Sequence, residues 1–497
     1  MNKLIKILSP LLCVVILLSA CNRRVTVTEE PTAEPQTESN SQPINTETAH
    51  DGKISLPYND TDGLNPYFMK SYENMFIASL LFEPLYELNS AYEPVPVVAE
   101  SISVGGTTAT VTIKSNVECR GSSPINAYDV VYSFNLAKVS YLYGGFLSGI
   151  TSAAAKSAYT VEFTLEYTDV FAAGKLTFPI VKEGTADLPE AVPTGSGAYY
   201  FLENTLVNVA NDSKAIALCE TDIRESVENS FKIGLSDVCF SDLSDCNYVG
   251  TTGKTEDILL NNMVYIGLNS ANGALNRYVR SAIAAAIDSE DIVLSSYQGH
   301  AQAAKLPLNP ALSEIKEMNF VAMSGNKALA DKIIDQCGYT RFSGRAKTNG
   351  AYTLSLNLIV NADNRYRLAA AYNIADALSQ VGFLITVQPL SFEDYSQRIA
   401  VGNYDMYLGE VKLDGSMDIS QFFTDGTVLG TGVDKTERAA TEYFRYRAGE
   451  IPAEEYYMIF AEYYPFVPVC FRKGYVVYSA DVTLDSTRLP NNLYYNF

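Results

Sequence analysis

Two β-rich runs, Val97 to Val104 and Thr108 to Ile113, are joined at Gly105-Gly106. Glycine enters the left-handed backbone region at little steric cost, so a pair at this spacing predicts a hairpin with a tight turn. Within Tyr159 to Leu165, Val161, Phe163 and Leu165 alternate with polar residues, which predicts a half-buried strand. Between these segments Asn126 stands three residues before Asp129 and just ahead of Val130, Val131 and Phe134. That spacing predicts a capped helix with one apolar side. The second half changes period. Asn276 precedes a helical stretch from Arg277 to about Ile287, with Val279, Ile283 and Ala286 on one face. A strand–helix–strand unit follows. Leu354, Leu356, Leu358 and Val360 mark the first strand, and Arg365 to Val381 carries Leu368, Tyr372, Ala375 and Leu378 at helical spacing. Gly382 is placed to stop that helix, and Phe383 to Val387 returns as a strand that a right-handed crossover makes parallel to the first. Ser391 with Asp394 opens a further helix leading to a strand around Tyr404 to Val411. Two α/β lobes are the expectation, with no internal repeat.

The N-terminal end has a different pattern. Lys3 and Lys6 precede an apolar run from Ile7 to Leu18, too short for a comfortable membrane span and ending in small residues as a secretory signal does. Asn22 to about His50 is rich in Thr, Glu, Pro, Ser and Asn, and its few apolar residues cannot offset the entropy of ordering. A disordered tether is expected there. No later run approaches the roughly twenty apolar residues of a spanning helix. From about Asp51 to Phe497 the chain has room for two or three domains, and 47% hydrophobic residues supply large cores.

A net charge of −21 argues against a nucleic-acid partner, because nothing neutralises phosphates. It tilts ligand preference weakly toward cationic or zwitterionic molecules. Beyond Cys13 and Cys21, six cysteines remain: Cys119, Cys219, Cys239, Cys246, Cys337 and Cys470. None forms a CxxC pair, so zinc and thioredoxin-like readings are poor. The turn-like stretch Ser241 to Asp245 makes Cys239–Cys246 the candidate bridge, with isolated buried thiols as the alternative. The chain has only two histidines, His50 and His300. Neither a Ser-His-Asp hydrolase nor an imidazole metal site has the residues it needs, and no cofactor is expected. Ser313 to Lys316 and Ser324 to Lys327 both read SxxK, which raises an acyl-enzyme reading. Lys347-Thr348-Asn349-Gly350 is not the Lys-Thr-Gly strand that such enzymes need, and no Ser-Asp-Asn accompanies it. Gly195-Ser196-Gly197 lacks the third glycine and following helix of a phosphate loop.

Leu18-Ser19-Ala20-Cys21 resembles the bacterial lipobox. That resemblance implies cleavage after residue 20, a diacylated Cys21 and a protein anchored at the outer face of a membrane. Several stretches of the body, in order, resemble the extracellular solute-binding proteins of family 5, the peptide- and nickel-binding class of ABC importers. They are Leu64-Asn65-Pro66-Tyr67 with Leu81 to Tyr86, Tyr92-Glu93-Pro94 with Ala99-Glu100-Ser101, and Asn126 to Phe134. Pro193 to Tyr199 (Ala198 replaces the usual proline), Arg280 to Asp288 and Tyr404 to Tyr407 complete the set. The resemblance covers about Ile54 to Tyr478. It implies a non-enzymatic, bilobal, periplasmic-binding-protein-like α/β fold of the large type II kind, with mixed sheets, an extra subdomain and a hinge. Residues 51–266 plus 469–497 form lobe 1 and 267–468 form lobe 2, after a signal at 1–20 and a tether at 21–50. The implied partners are an ABC permease, its ATPase and a peptide or other small ligand.

In peptide-binding members an acidic residue after the second-lobe strand takes the ligand amine. The corresponding stretch, Glu410 to Ile419, offers Asp414 and Asp418, with Asp418 slightly favoured. It lacks the usual tryptophan-containing pattern, which weakens ordinary peptide specificity. Tyr72, Glu73 and Asn74 after the opening strand, Asn269 at the lobe crossover, and Arg472 near the hinge are further candidates, Arg472 for a ligand carboxylate. An exported hydrolase and a surface adhesin or scaffold are the competing readings.

Overall fold

A computed structural model of the chain describes residues 53–121, 123–222, 224–246, 253–318, 323–342, 346–480 and 482. The expected signal and tether, Cys21 included, lie outside the described residues.

The local signals place their elements. The hairpin forms from strands Ala99–Gly105 and Thr108–Ile113 with Gly105 opposite Thr108, so the turn falls on Gly106-Thr107, one residue beyond the glycine pair. Gly106 takes φ +57°, which a side chain would strain. Strand Thr160–Leu165 pairs beside the hairpin and Ile150–Ser157 completes this four-stranded antiparallel sheet. Helix Ala127–Ala137 begins at Asn126, whose side chain accepts from the Tyr128 and Asp129 amides while Asp129 reaches back to the Asn126 amide. Such a reciprocal cap stabilises a helix start by about 1 kcal/mol. Helix Arg277–Ala286 buries the expected Val279, Ile283 and Ala286.

In the second half, strands Ser355–Asn361 and Leu384–Leu390 pair in parallel on either side of helix Arg365–Gln380. The helix face differs from the spacing reading. Tyr366, Ala370, Ile374 and Leu378 are buried, whereas Tyr372 is 52% exposed. The i, i+4 row through the small Ala370 lets the helix lie close to the sheet, and the bulky Tyr372 is turned outward. Helix Phe392–Ala400, capped by Ser391, leads into strand Met406–Lys412.

These strands belong to a seven-stranded mixed sheet with the order Val238–Ser241, Phe466–Tyr478, Lys254–Leu268, Met406–Lys412, Ser355–Asn361, Leu384–Leu390, and with Ala301–Ala303 also on Phe466–Tyr478. Its two long antiparallel members tie the molecule together. Ile258 and Leu260, with Val476 and Tyr478, belong to one hydrophobic core, which also holds the hairpin sheet and helix Tyr72–Leu81. Met263 to Leu268 and Phe466 to Phe471 belong to a second core with the parallel unit and helix Ala453–Tyr463. The ladder between the two strands is irregular between Leu259 and Met263, where the chain passes from one core to the other. The fold is therefore bilobal, with paired strands crossing between the lobes.

None of the six described cysteines is joined in a disulfide, so the candidate Cys239–Cys246 bridge does not form. Much of the tyrosine content is structural: Tyr443, Tyr446, Tyr456 and Tyr457 pack in the second core, with the Tyr446 and Tyr456 rings stacked 5.2 Å apart. Gly195 and Gly197 also have a packing reason. A Cβ at either would meet the Leu81 or Leu80 carbonyl oxygen at 2.4 or 2.3 Å.

Candidate functional site

The two lobes meet along two neighbouring stretches, one filled by protein charges and the other open. The filled stretch begins with the turn Ala172–Lys175 of the first lobe and the loop after Met406–Lys412 of the second. Backbones touch here: a Cβ on Gly174 would lie 2.6 Å from the Gly415 carbonyl carbon. The approach brings the Lys175 ammonium, only 2% exposed, between Asp414 (2.6 Å) and Asp418 (2.7 Å). Asp418 also accepts from the Tyr167 and Tyr443 hydroxyls at 2.5 and 2.8 Å, and Asp414 from the Ser416 amide at 2.8 Å. Beside them Arg447 of the second lobe pairs with Asp169 of the first at 2.7 Å and donates to the Ser416 carbonyl. Burial works to raise the Asp418 pKa, but Lys175 and Arg447 overcome it and hold the carboxyl well below its usual value. Burial likewise works against charge on Lys175, and the two carboxylates outweigh it, so its pKa is raised.

The open stretch is a cavity of about 310 Å³. Among the described residues four cations line it, Lys70, Arg367, Lys412 and Arg472, against two carboxylates, Asp242 and Glu410. Asn262, Asn361 and Asn364 add polar groups, and Tyr72 and Phe146 add rings. Glu410 is committed: Arg472 Nε lies 2.8 Å away, Asn262 donates at 2.8 Å, and Arg367 stands at 3.8 Å. Burial raises its pKa, yet Arg472 and Arg367 leave it below the usual carboxylate value. Asp242 accepts from the Ser244 amide at 2.9 Å and from the Tyr72 hydroxyl at 3.3 Å. Lys412 has no such partner among the described residues, and its Nζ lies 5.7 Å from the Tyr72 ring centre and 5.4 Å from that of Phe146. A larger open recess of about 600 Å³ lies between Glu83 and Glu118. It is formed within the first lobe alone, so closure of the lobes would not enclose a solute there.

The sequence candidates therefore separate. Tyr72 and Arg472 line the cavity. Asp414 and Asp418 lie next to it but face Lys175. Glu73 is only partly buried and is not among the cavity's lining residues. Asn74 is fully buried and fastens a turn by donating to the Asn59 and Gly63 carbonyls. Asn269 does the same for the Gly402 and Tyr404 carbonyls and is not among the cavity's lining residues. Lys175, Arg367, Glu410 and Lys412 were not singled out from sequence. Glu410 and Lys412 did carry a signal, since charges two apart near the end of an apolar strand share one face.

The other sequence motifs find separate roles. Ser324 donates to the Ile287 carbonyl and Lys327 to Gln380, so this SxxK is not a nucleophile and its base. His300 lies near Asp257 and Tyr475, outside the cavity lining. Among the described residues no group of three His, Cys, Asp or Glu side chains is placed to hold a metal, and no helix is long and apolar enough to cross a membrane.

A model of the bacterial extracellular solute-binding proteins, family 5 (middle), matches residues 93–213 and 236–427. The oligopeptide-binding protein AppA of Bacillus subtilis (strain 168) is 24% identical over 350 residues, which are 62% of this chain and 63% of that protein. The chain thus matches less than two thirds of that relative's length. Among solved structures, NikA from Brucella suis in complex with Fe(III)-EDTA superposes with a TM-score of 0.66 at 17% identity, covering 89% of this chain and 98% of that one. A nickel ABC transporter protein from Bacillus halodurans gives a TM-score of 0.69 at 15% identity, covering 87% and 96%. At these identities the structural likeness shows the shared fold.

Proposed function

The chain belongs to the bacterial extracellular solute-binding proteins of family 5, and from that premise we propose that it is the capture component of an ABC import system. It takes a small solute into the cleft and delivers it to a permease driven by an ATPase subunit. The observation that carries this reading is the charge-lined cavity of about 310 Å³ held between two lobes that two long strands connect. A site of this kind encloses its ligand when the lobes close about the crossing strands. Tyr72 and Arg472 are its contacts among the residues singled out from sequence.

The solute is an oligopeptide or a similar zwitterion, in keeping with the oligopeptide-binding relative. Among the described residues no histidine or cysteine lines the cavity, so imidazole or thiolate capture of a bare metal ion finds no donor there. Lipid on Cys21 holds the protein at the outer face of the membrane, near its permease. Two acyl chains suffice for stable anchoring.

Two measurements test this. Native mass spectrometry of the protein purified without denaturation is expected to show a small molecule released on unfolding. A protein that carries none, and that no peptide or solute stabilises against heat, would end the binding-protein reading. Metabolic labelling with a palmitate analogue is expected to mark the wild type and leave Cys21→Ser unlabelled and unanchored. Equal membrane retention of both would remove the lipid claim.

A further inference from the structure

The interlobe boundary holds many buried charges and, the exposed Lys70 aside, all but one of its cations among the described residues have answering carboxylates. Lys175 has Asp414 and Asp418, Arg447 has Asp169, and Arg472 has Glu410. Lys412 is the exception. It ends the Met406–Lys412 strand, and four cavities along the boundary are each lined by both Lys412 and Phe146. No hydrogen bond or ion pair reaches its ammonium among the described residues; only the Tyr72 and Phe146 rings approach it.

Lys412 is half-buried, and an ammonium partly withdrawn from water without a counter-charge is costly. Burial lowers the Lys412 pKa, with Asp242 opposing and Arg472 adding to the effect. Asp242 is the nearer of the cavity's two carboxylates in influence, but it already accepts from the Ser244 amide and the Tyr72 hydroxyl. The cavity lining therefore carries two more cations than carboxylates inside a chain whose net charge is −21. Among the described lining residues no carboxylate balances this surplus. An occupant bearing negative charge does.

We infer that Lys412 is a ligand-binding residue, and that the solute taken into the cleft presents a carboxylate to its ammonium. The Tyr72 and Phe146 rings flank that ion pair and shield it from water, which strengthens a charge-assisted hydrogen bond. The inference rests on the binding-protein reading and deepens it. The acidic pair Asp414 and Asp418 is satisfied by Lys175 from within the chain, so the open charge that selects the ligand is a cation.

The test uses the soluble body and the variants Lys412→Met and Lys412→Arg. Probes are a pool of random tripeptides as free acids, the same pool amidated at the C-terminus, citrate and maltotriose, read by thermal shift and then calorimetry. A shift is expected with a carboxylate probe and not with the amidated pool or maltotriose. Lys412→Met is expected to weaken that binding on the order of tenfold to a hundredfold, the range of a lost charge-assisted contact, while Lys412→Arg retains most of it. Without ligand, Lys412→Met is expected to melt no lower than the wild type, since it removes an unpaired charge. A marked loss of unliganded stability would make Lys412 a structural residue and overturn the inference. Equal shifts from acid and amidated pools, or undiminished binding by Lys412→Met, would also overturn it. If only neutral probes bind, the carboxylate anchor falls and the binding-protein reading stands. If no probe binds, both fall.

Discussion

Lys175 places its ammonium between two carboxylates that lie 239 and 243 positions further along the chain. Taking one partner from a buried ion pair leaves the others desolvated and unmatched, at a cost of about 3–5 kcal/mol. Lys175→Met is therefore expected to destabilise the protein by that amount in urea titration, with Asp414 and Asp418 left facing each other. A change under about 1 kcal/mol would mean that the pair is a solvated contact of the exposed kind. The same cluster sets the acid limit. The Asp418 pKa is depressed in the folded state, so its contribution is present above the unfolded carboxyl value of about 3.9 and is lost as pH falls through the lower folded value. Lys175 works in the opposite sense: its raised pKa gives a contribution that is full below about 10.4 and is lost as pH rises through the folded value. Asp418→Asn is expected to flatten the fall in stability below pH 4 relative to wild type. An unchanged slope in acid titrations followed by circular dichroism would refute this. The loop carboxylates were visible in the sequence, but their partner was not. Spacing carries no information about a lysine nearly half the chain away, so acids that read as ligand anchors are internally paired.

Element by element, the chain was most legible where the signal is local. Asn126 with Asp129, Ser391 with Asp394, and the alternation through Val161, Phe163 and Leu165 each settle a short range by capping chemistry or pleat period. The helix Arg365–Gln380 shows where this stops. Its existence follows from period, but its buried row is chosen by the sheet it lies on, and that sheet is assembled from distant strands. The touching turns Ala172–Lys175 and Leu413 to Ser416 depend on such distant assembly as well. Both backbones carry glycine at the contact, and a Cβ on Gly415 would lie 2.5 Å from the Gly174 carbonyl oxygen. Gly174→Val is expected to force these turns apart, lengthen the Lys175 contacts and lower stability by about 1–3 kcal/mol, the usual cost of overpacking. Its melting temperature is the check, and a value equal to wild type would show that the lobes meet there only loosely.

For the molecule as a whole, the two stretches of the boundary pull closure in opposite directions. Lys175 with Asp414 and Asp418, and Arg447 with Asp169, are made between lobes and are complete without a ligand. They favour the closed arrangement. The cavity beside them gathers Lys412 and three further cations against two carboxylates, and closing it empty brings those charges together out of water. A ligand can shift the balance only by binding the closed state better than the open one, and the unpaired ammonium supplies that difference. Weakening the interlobe contacts should therefore expand the unliganded protein, and weakening the repulsion should compact it. In small-angle scattering without ligand, the double variant Lys175→Met with Arg447→Met is expected to show a larger radius of gyration than wild type. Lys412→Met is expected to show an equal or smaller one. The two shifts must differ in sign or the second must be nil, since the variants act on opposite sides of one equilibrium. Expansion by Lys412→Met would mean that this side chain helps hold the lobes together, and the division of the boundary into a latch and a ligand site would fail.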